Sequence, residues 1–158
     1  MKPEEIVEKY CFYQLAEGDL ILSKSFLKAI DENTEKKITN ALIQCTILSY
    51  CRPFKECRGV YRKYRLSKKF IPNNLKQIHQ EMIHYRDKVF AHTDVELRNP
   101  KLIRWEGKSG YVYPMQFKGL SPAIFEKNIP NIISSIESVQ SAIAREIKEM
   151  KPFLDEIE

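Results

Sequence analysis

The chain has 158 residues, of which 43% are hydrophobic and 30% charged, and its formal net charge is +5. This length is sufficient for one domain with its own hydrophobic core, and the composition excludes a fibrous or disordered chain. Only five residues are glycine, so we expect a single all-α domain over residues 1–158 rather than a sandwich or a barrel.

The cysteine content and the charge near the first residue indicate a cytoplasmic protein. The four cysteines are Cys11, Cys45, Cys51 and Cys57. No two of them form a C-x-x-C pair, and Glu4 and Glu5 occupy the region where a secretory signal peptide carries positive charge. We therefore expect a reducing compartment with four free thiols. No stretch approaches the roughly 18 apolar residues of a transmembrane helix, so we expect no membrane association.

Two helices are predicted in the first third of the chain. The clearest apolar face of the first, over residues 3–30, consists of Ile21, Leu22, Ser25, Phe26, Ala29 and Ile30. The second begins at Thr34, whose hydroxyl suits an N-cap, and ends at Pro53 because a proline ring clashes with the preceding turn. The spacing i, i+3, i+4, i+7 predicts a core-facing stripe of Ile38, Ala41, Leu42, Cys45, Leu48 and Ser49.

A strongly basic segment follows the second helix. Residues 52–69 contain eight lysines and arginines against one acid, Glu56, so their formal charge is 8 − 1 = +7. A local cationic field gathers polyanions, and aromatic residues alternate with the cations, as suits phosphate contacts combined with base stacking. The candidate RNA-binding residues are Arg52, Arg58, Arg62, Lys63 and Arg65. The alternative is a solvated connector whose aromatic side chains pack on the helices.

The third helix follows Pro72 and has the most regular apolar stripe of the chain. That stripe consists of Leu75, Ile78, Met82, Tyr85 and Val89, and His92 extends it by three residues. His92 is either a C-terminal histidine favoured by the helix dipole or a general acid/base, since the ordinary pKa of histidine lies near neutrality.

The stretch "HYRDKVFAHTD" at 84–94 concentrates charge at the end of this helix. Arg86 and Asp87 either form a surface or interface ion pair or belong to a site with His92. On an ideal α-helix, six residues place Arg86 and His92 roughly 120° apart. The two therefore share a face only if the helix ends or bends near Ala91, or if two copies of the helix meet.

A β-hairpin and a fourth helix complete the predicted elements. "KLIRW" and "YVYPMQF" resemble strands and flank the glycine-containing "EGKSG", so residues 97–120 predict an inserted hairpin whose second arm is an edge strand at Pro114. The fourth helix begins at Ser121-Pro122, bends at Pro130 and ends before Pro152. Its stripe is Phe125, Ile129, Ile132, Ile136, Val139 and Ile143. The pattern predicts an up-and-down four-helix bundle with a hairpin before the last helix.

"RDKVFAH" resembles the R-x4–6-H motif of the HEPN family of small helical domains. Arg86 corresponds to the arginine, Asp87 to the polar residue directly after it, and His92 to the histidine. In its amino-acid sequence the chain most resembles small bacterial HEPN proteins associated with abortive infection and toxin–antitoxin systems. The helical part of the resemblance covers most of residues 3–150, and the hairpin is an insertion.

The resemblance implies a metal-independent endoribonuclease that acts as a homodimer, with two motifs facing one another in a composite cleft. His92 would move the proton of the 2′-hydroxyl or of the leaving 5′-oxygen. Arg86 would hold the scissile phosphate and offset its growing charge, and Asp87 would orient Arg86 or His92. The expected products carry 2′,3′-cyclic phosphate and 5′-hydroxyl ends. RNA and an antitoxin protein are the implied partners.

We expect neither a metal nor another cofactor, because the histidines at 79, 84 and 92 do not have the i, i+4 spacing of a helical zinc site. Two other functions stay open. One is a non-catalytic HEPN-like helical dimer that binds a protein or a nucleotide, with Arg86 and His92 at its interface. The other is a helical bundle that binds a small ligand and has no role with nucleic acids.

Overall fold

The protein is described by a computed structural model that covers residues 2–90, 100–116 and 123–155. The chain is mostly helical, which confirms the all-α class. Its helices are α1 (Pro3–Lys28), α2 (Lys36–Cys51), α3 (Lys76–Tyr85), α4 (Ala123–Glu126) and α5 (Ile129–Asp155). Within the described ranges, no helix is long and apolar enough to cross a membrane.

The hydrophobic core lies between α1, α2, α3 and α5. The most extensive contacts of α1 are with α2 and α5, and α3 contacts both α2 and α5. Ile43 and Ile47 of α2 meet Ile132, Ile136 and Val139 of α5 in one cluster of buried residues. Burial of these large side chains is the main favourable term in the stability of the domain.

The predicted core faces of the first two helices are mostly wrong, although Ser49 of the predicted α2 stripe is buried. Ile21 of α1 and Ile38 of α2 are exposed, and the buried positions of the two helices instead include the small or polar residues Ala16, Ser23 and Thr46. The Ser23 hydroxyl donates to the Thr46 carbonyl at 3.0 Å, and the Thr46 hydroxyl donates to the Leu42 carbonyl at 2.9 Å. Because backbone carbonyls satisfy these hydroxyls, the two residues can occupy core positions.

The start of α2 also differs from the prediction. Thr34 does not cap the helix, because its hydroxyl donates to the Asp31 carboxylate at 2.8 Å and accepts from the Asp31 backbone N–H at 2.9 Å. These bonds hold a turn before the helix, and α2 begins at Lys36.

The predicted stripe of α3 is confirmed where the structure describes it. Leu75, Ile78 and Met82 are buried, and the ring of Tyr85 packs edge-on against Phe125 at a centroid distance of 4.7 Å. The side chain of Val89 lies outside the described residues. After α3 the chain continues as a π-helical turn (Arg86–Phe90) that contacts α2.

The last helix begins and ends at different residues from those predicted. Ser121 and Pro122 lie outside the described residues. Pro130 lies in the first turn of α5, which begins at Ile129. Because backbone N–H groups in the first turn have no partner within the helix, a proline there removes no helical hydrogen bond, and Pro130 does not bend a continuous helix. Pro152 does not follow the end of the helix, which continues to Asp155. A proline so near the end costs few backbone hydrogen bonds.

Two small antiparallel hairpins project from the helices. The predicted hairpin is confirmed over its described part, where β3 (Lys101–Leu102) pairs with β6 (Met115–Gln116) and β4 (Trp105–Gly107) pairs with β5 (Gly110–Val112). Residues 97–99 and 117–120 lie outside the described residues. The other hairpin, β1 (Cys57–Arg58) with β2 (Lys63–Tyr64), lies in the basic segment, where the sequence predicted only a linker.

Two isoleucines of α2 provide a matched test of this assignment of its faces. Ile43 is fully buried, whereas Ile38 is 51% exposed. We expect Ile43→Ala to lower the free energy of unfolding by about 2–5 kcal/mol, because it leaves a cavity. Ile38→Ala should change it by less than about 0.5 kcal/mol. Urea unfolding followed by circular dichroism measures both. A larger decrease in the free energy of unfolding for Ile38→Ala than for Ile43→Ala would support the predicted core face instead.

Candidate functional site

Three charged side chains meet where α3 ends. The guanidinium of Arg86 donates to one oxygen of Asp87 at 2.9 Å, and the ammonium of Lys55 pairs with the other oxygen. Each of the three side chains is about one-third exposed, at 30%, 34% and 35% for Arg86, Asp87 and Lys55. This group, called the Asp87 cluster below, is therefore open to a ligand on one side.

The environment keeps Asp87 ionised at neutral pH. Partial burial raises the pKa of its carboxyl group, but the hydrogen bonds and charges of Lys55 and Arg86 outweigh that effect and hold the pKa below its usual value. Asp87 is therefore a hydrogen-bond acceptor that orients two cations and not a proton donor. The cluster has two positive charges and one negative charge, so it attracts anions.

Cys51 lies beside this cluster but is not a nucleophile. Its thiol is buried at the end of α2, and burial raises its pKa to about 12, although the charges of Arg86 and Lys55 act in the opposite direction. A neutral thiol is a weak nucleophile. Cys51 is therefore a small, neutral side chain of the hydrophobic core. The other three cysteines are exposed, and none of the four is in a disulfide.

The π-helical turn changes the geometry of the R-x5-H motif. Arg86 and Asp87 open this turn, and its i→i+5 pattern rotates the chain less per residue than an α-helix does. Over residues 86–90 the rotation of about 100° per residue of an ideal α-helix therefore does not apply. His92 itself lies outside the described residues. Short π-helical segments are frequent at functional sites.

The basic segment is attached to the helices by ion pairs. Four of its cations have acidic partners: Arg52 pairs with Asp19 at 3.1 Å, Lys55 with Asp87, Arg62 with Glu5 at 2.8 Å, and Lys63 with Glu56 at 2.6 Å. Three of these four acids belong to α1 or to the π-helical turn. The segment is therefore attached to the folded domain. Its aromatic side chains pack on the helices, as the connector alternative predicted, since Phe54 is buried and Tyr64 stacks on Phe12 of α1.

Glu8 of α1 holds the turn of the β1–β2 hairpin. Its carboxylate accepts hydrogen bonds from the backbone N–H groups of Val60, Tyr61 and Arg62 and from the Tyr64 hydroxyl. The approach is so close that a Cβ on Gly59 would lie 2.5 Å from this carboxyl group. Successive N–H groups that converge on one point form an anion site, and here the protein fills it with its own carboxylate.

Two of the five candidate RNA-binding residues are left without acidic partners. Arg58 and Arg65 are exposed, and neither has an ion-pair partner within the described ranges. Arg52, Arg62 and Lys63 are the three that have partners. No described hydrogen bond or ion pair joins the β1–β2 hairpin to the Asp87 cluster.

A buried polar network lies in the core between α2, α3 and α5. The hydroxyl of Tyr50 is 3.0 Å from Nδ1 of His79 and 2.8 Å from the Ser135 hydroxyl. The ring of His79 also packs edge-on against Phe54 at a centroid distance of 4.7 Å. Burial lowers the pKa of His79 to about 4, with the charge of Lys68 acting in the same direction. The imidazole is therefore neutral at pH 7.

The sequence did not indicate Lys55, Glu8 or the role of His79. The partner of Lys55 lies 32 positions away in the sequence and those of Glu8 lie at least 52 positions away, and no local spacing indicates such partners. His79 directly follows Ile78 of the predicted stripe, and a histidine beside a core position is a signal that could have been used. Within the part of the chain that the structure describes, no group of three or more His, Cys, Asp or Glu is placed to hold a metal.

Comparisons with known proteins identify no relative of this chain. No known protein family matches the chain, and neither a curated protein nor a solved structure is significantly similar to it.

The Glu8 contact predicts a local dependence on pH. Partial burial raises the pKa of Glu8, but its hydrogen bonds from Tyr64 and from three backbone amides outweigh this and lower the pKa. A lowered folded-state pKa stabilises the docked turn above the usual pKa of glutamate, and this contribution is lost as the pH falls below about 4. The protection of the amides of residues 60–62, measured as their exchange rate relative to the intrinsic rate at each pH, should therefore fall at acidic pH.

The substitution Glu8→Gln should produce faster exchange at these amides already at neutral pH, while exchange in the α2–α5 core stays unchanged. Glu4→Gln is the matched control, because Glu4 is exposed one turn earlier on the same helix. Equal exchange rates in both variants would show that the carboxylate of Glu8 does not hold the turn.

Proposed function

We propose that this chain is a metal-independent endoribonuclease of the HEPN type. The observation that carries the proposal is the Asp87 cluster, in which a partly exposed arginine is oriented by the carboxylate next to it. Arg86 and Asp87 are the first two residues of the R-x5-H motif, and they lie where α3 changes to a π-helical turn. A fixed, permanently charged guanidinium suits a phosphodiester in which negative charge grows.

The reaction needs little from the protein, because RNA supplies the 2′-hydroxyl as its nucleophile. We assign His92 to proton transfer, to the 5′-leaving oxygen or from the 2′-hydroxyl, and Arg86 to the phosphate. Asp87 keeps Arg86 in place. Lys55 adds a second positive charge within the same cluster, so that the site retains net positive charge although Asp87 is ionised. The products would be a 2′,3′-cyclic phosphate and a 5′-hydroxyl.

We further propose that α1, α2, α3 and α5 form the up-and-down bundle of this family and that two copies pair. Arg86 from one copy and His92 from the other would then line one cleft. The contacts of α3 with both α2 and α5 support such a bundle. RNA is the proposed substrate, and an antitoxin protein that covers the cleft is the proposed restraint.

A ribonuclease assay with EDTA tests this proposal. The wild-type chain should cleave mixed RNA and leave cyclic-phosphate ends. Arg86→Ala should reduce the rate by about 100-fold or more, the cost of removing a group that stabilises transition-state charge, and His92→Ala should be inactive. Arg145→Ala is the matched control, because Arg145 is exposed on α5.

All variants are first compared for folding by circular dichroism and for oligomeric state by sedimentation. Cleavage that requires an added divalent metal, or equal rates in all four proteins, would contradict the proposed mechanism.

The alternative of a non-catalytic helical dimer has one observation in its favour. Both carboxylate oxygens of Asp87 are occupied by Arg86 and Lys55, as in an ion pair that stabilises structure or an interface. In that case wild type would not cleave, and Arg86→Ala would weaken the dimer. Expression discriminates as well, since a toxic enzyme should be produced poorly until His92 is replaced, whereas a scaffold should be produced equally in both forms.

RNA binding outside the cleft should depend on Arg58 and Arg65, the two candidate RNA-binding residues without an acidic partner in the described part of the chain. We expect the double substitution Arg58→Gln/Arg65→Gln to weaken binding of single-stranded RNA and to lower the slope of log K against log salt by about 1.4, or about 0.7 for each lost phosphate contact. Fluorescence anisotropy at several salt concentrations measures both quantities.

The control Arg145→Gln/Lys148→Gln removes the same charge from exposed positions of α5. An equal loss in both double variants would show that only net charge matters and that the β1–β2 hairpin is not an RNA-binding surface.

A further inference from the structure

A second, separate pocket lies where the basic segment meets the start of α3. Its volume is about 310 Å³, and it is lined by Lys68, Lys69, Ile71, Lys76, His79 and Gln80. Three of these six residues are lysines and none is acidic, so the pocket is cationic. None of them belongs to the Asp87 cluster or to the R-x5-H motif. The ribonuclease proposal therefore does not account for this pocket.

His79 is the buried member of this lining. Its side chain is 3% exposed, and its Nδ1 is engaged by the Tyr50 hydroxyl at 3.0 Å. Its Nε2 is also buried and has no hydrogen-bond partner in the part of the chain that the structure describes. Buried polar atoms are nearly always paired, because an unmade hydrogen bond in the interior costs free energy. A bound group that supplies the missing bond is the simplest explanation.

The polar network indicates which kind of group this is. One consistent assignment has Ser135 donating to Tyr50 and Tyr50 donating to Nδ1 of His79, which leaves a proton on Nε2. The pocket lining then combines three lysine ammonium groups and an amide with a buried imidazole whose Nε2–H lacks a partner. An anion with several acceptor oxygens fits this set. The first turn of α3, which begins at Lys76, adds a favourable dipole.

We propose that this pocket binds a phosphate monoester, with Lys68, Lys69 and Lys76 neutralising its charge and Nε2–H of His79 donating to one of its oxygens. The volume is at the lower end of the range for small-molecule sites, about 300–1,000 Å³, which suits a phosphate with part of the group it carries. Such a phosphate belongs either to a free nucleotide or to the 5′-end of an RNA strand.

Binding to the full chain can be measured directly, with the R-x5-H motif left intact or replaced. The probes are inorganic phosphate, adenosine 5′-monophosphate, and a short oligoribonucleotide with either a 5′-phosphate or a 5′-hydroxyl end. Calorimetry gives the affinity, and the ¹⁵N resonances of the His79 ring report contact at Nε2. We expect phosphate and at least one phosphorylated probe to bind and to shift the Nε2 resonance, also in the Arg86→Ala variant.

The lysine variants identify the pocket without disturbing the core. Lys69 and Lys76 are exposed, so the double variant Lys69→Gln/Lys76→Gln should fold normally. Its affinity for the phosphorylated probes should be lower by about tenfold or more, as expected for lost charge-assisted hydrogen bonds. Lys148→Gln/Lys151→Gln is the matched control on α5 and should have no effect.

Preference for the mononucleotide would identify a small ligand, and preference for the 5′-phosphorylated strand over its 5′-hydroxyl twin would identify an RNA end. Absence of any shift at His79 in tens of millimolar phosphate would overturn the proposal. Binding that the lysine substitutions leave unchanged would overturn it too. The ribonuclease assay can succeed or fail independently, because the pocket contains none of its residues.

Discussion

The hydroxyl of Tyr50 joins three helices at one point of the core. It is fully buried, and it contacts His79 of α3 and Ser135 of α5 from its position near the end of α2. Hydrogen bonds are strong in a poorly polarisable interior, and a polar group left unpaired there costs free energy. The three helices must therefore pack so that the Tyr50 hydroxyl reaches both Nδ1 of His79 and the Ser135 hydroxyl. His79 also lines the cationic pocket, and Cys51, next to Tyr50, is near enough to the Asp87 cluster for the charges of that cluster to act on its thiol.

The fold could be predicted from the sequence where the buried positions are occupied by apolar side chains. The stripe of α3 and the glycine-containing hairpin are such cases, since Leu75 and Met82 are buried and Gly110 has a positive φ of 122° at the turn. The faces of α1 and α2 could not be predicted in this way. There Ser23 and Thr46 lie in the core because neighbouring carbonyls accept their hydrogen bonds, whereas Ile21 and Ile38 are exposed.

The candidate site could be predicted only in its local part. Arg86 and Asp87 are adjacent in the sequence, and their contact required no knowledge of the fold. Lys55 joins them only because α2 and the turn after it pack against the end of α3. The assignment of His92 comes from the motif alone, so it stays a prediction, as does the single-domain boundary.

The charge of the basic segment shows why composition overstates a binding surface. Its formal charge of +7 suggests eight cations open to a polyanion, yet four of them are paired with acids, three of which lie elsewhere in the domain. These pairs orient the segment. The other four cations, Arg58, Arg65, Lys68 and Lys69, have no acidic partner among the residues that the structure describes, and the two lysines line the His79 pocket. Charge reversal at Arg62 or Lys63 therefore perturbs attachment of the hairpin as well as binding, and only the unpaired positions separate the two effects.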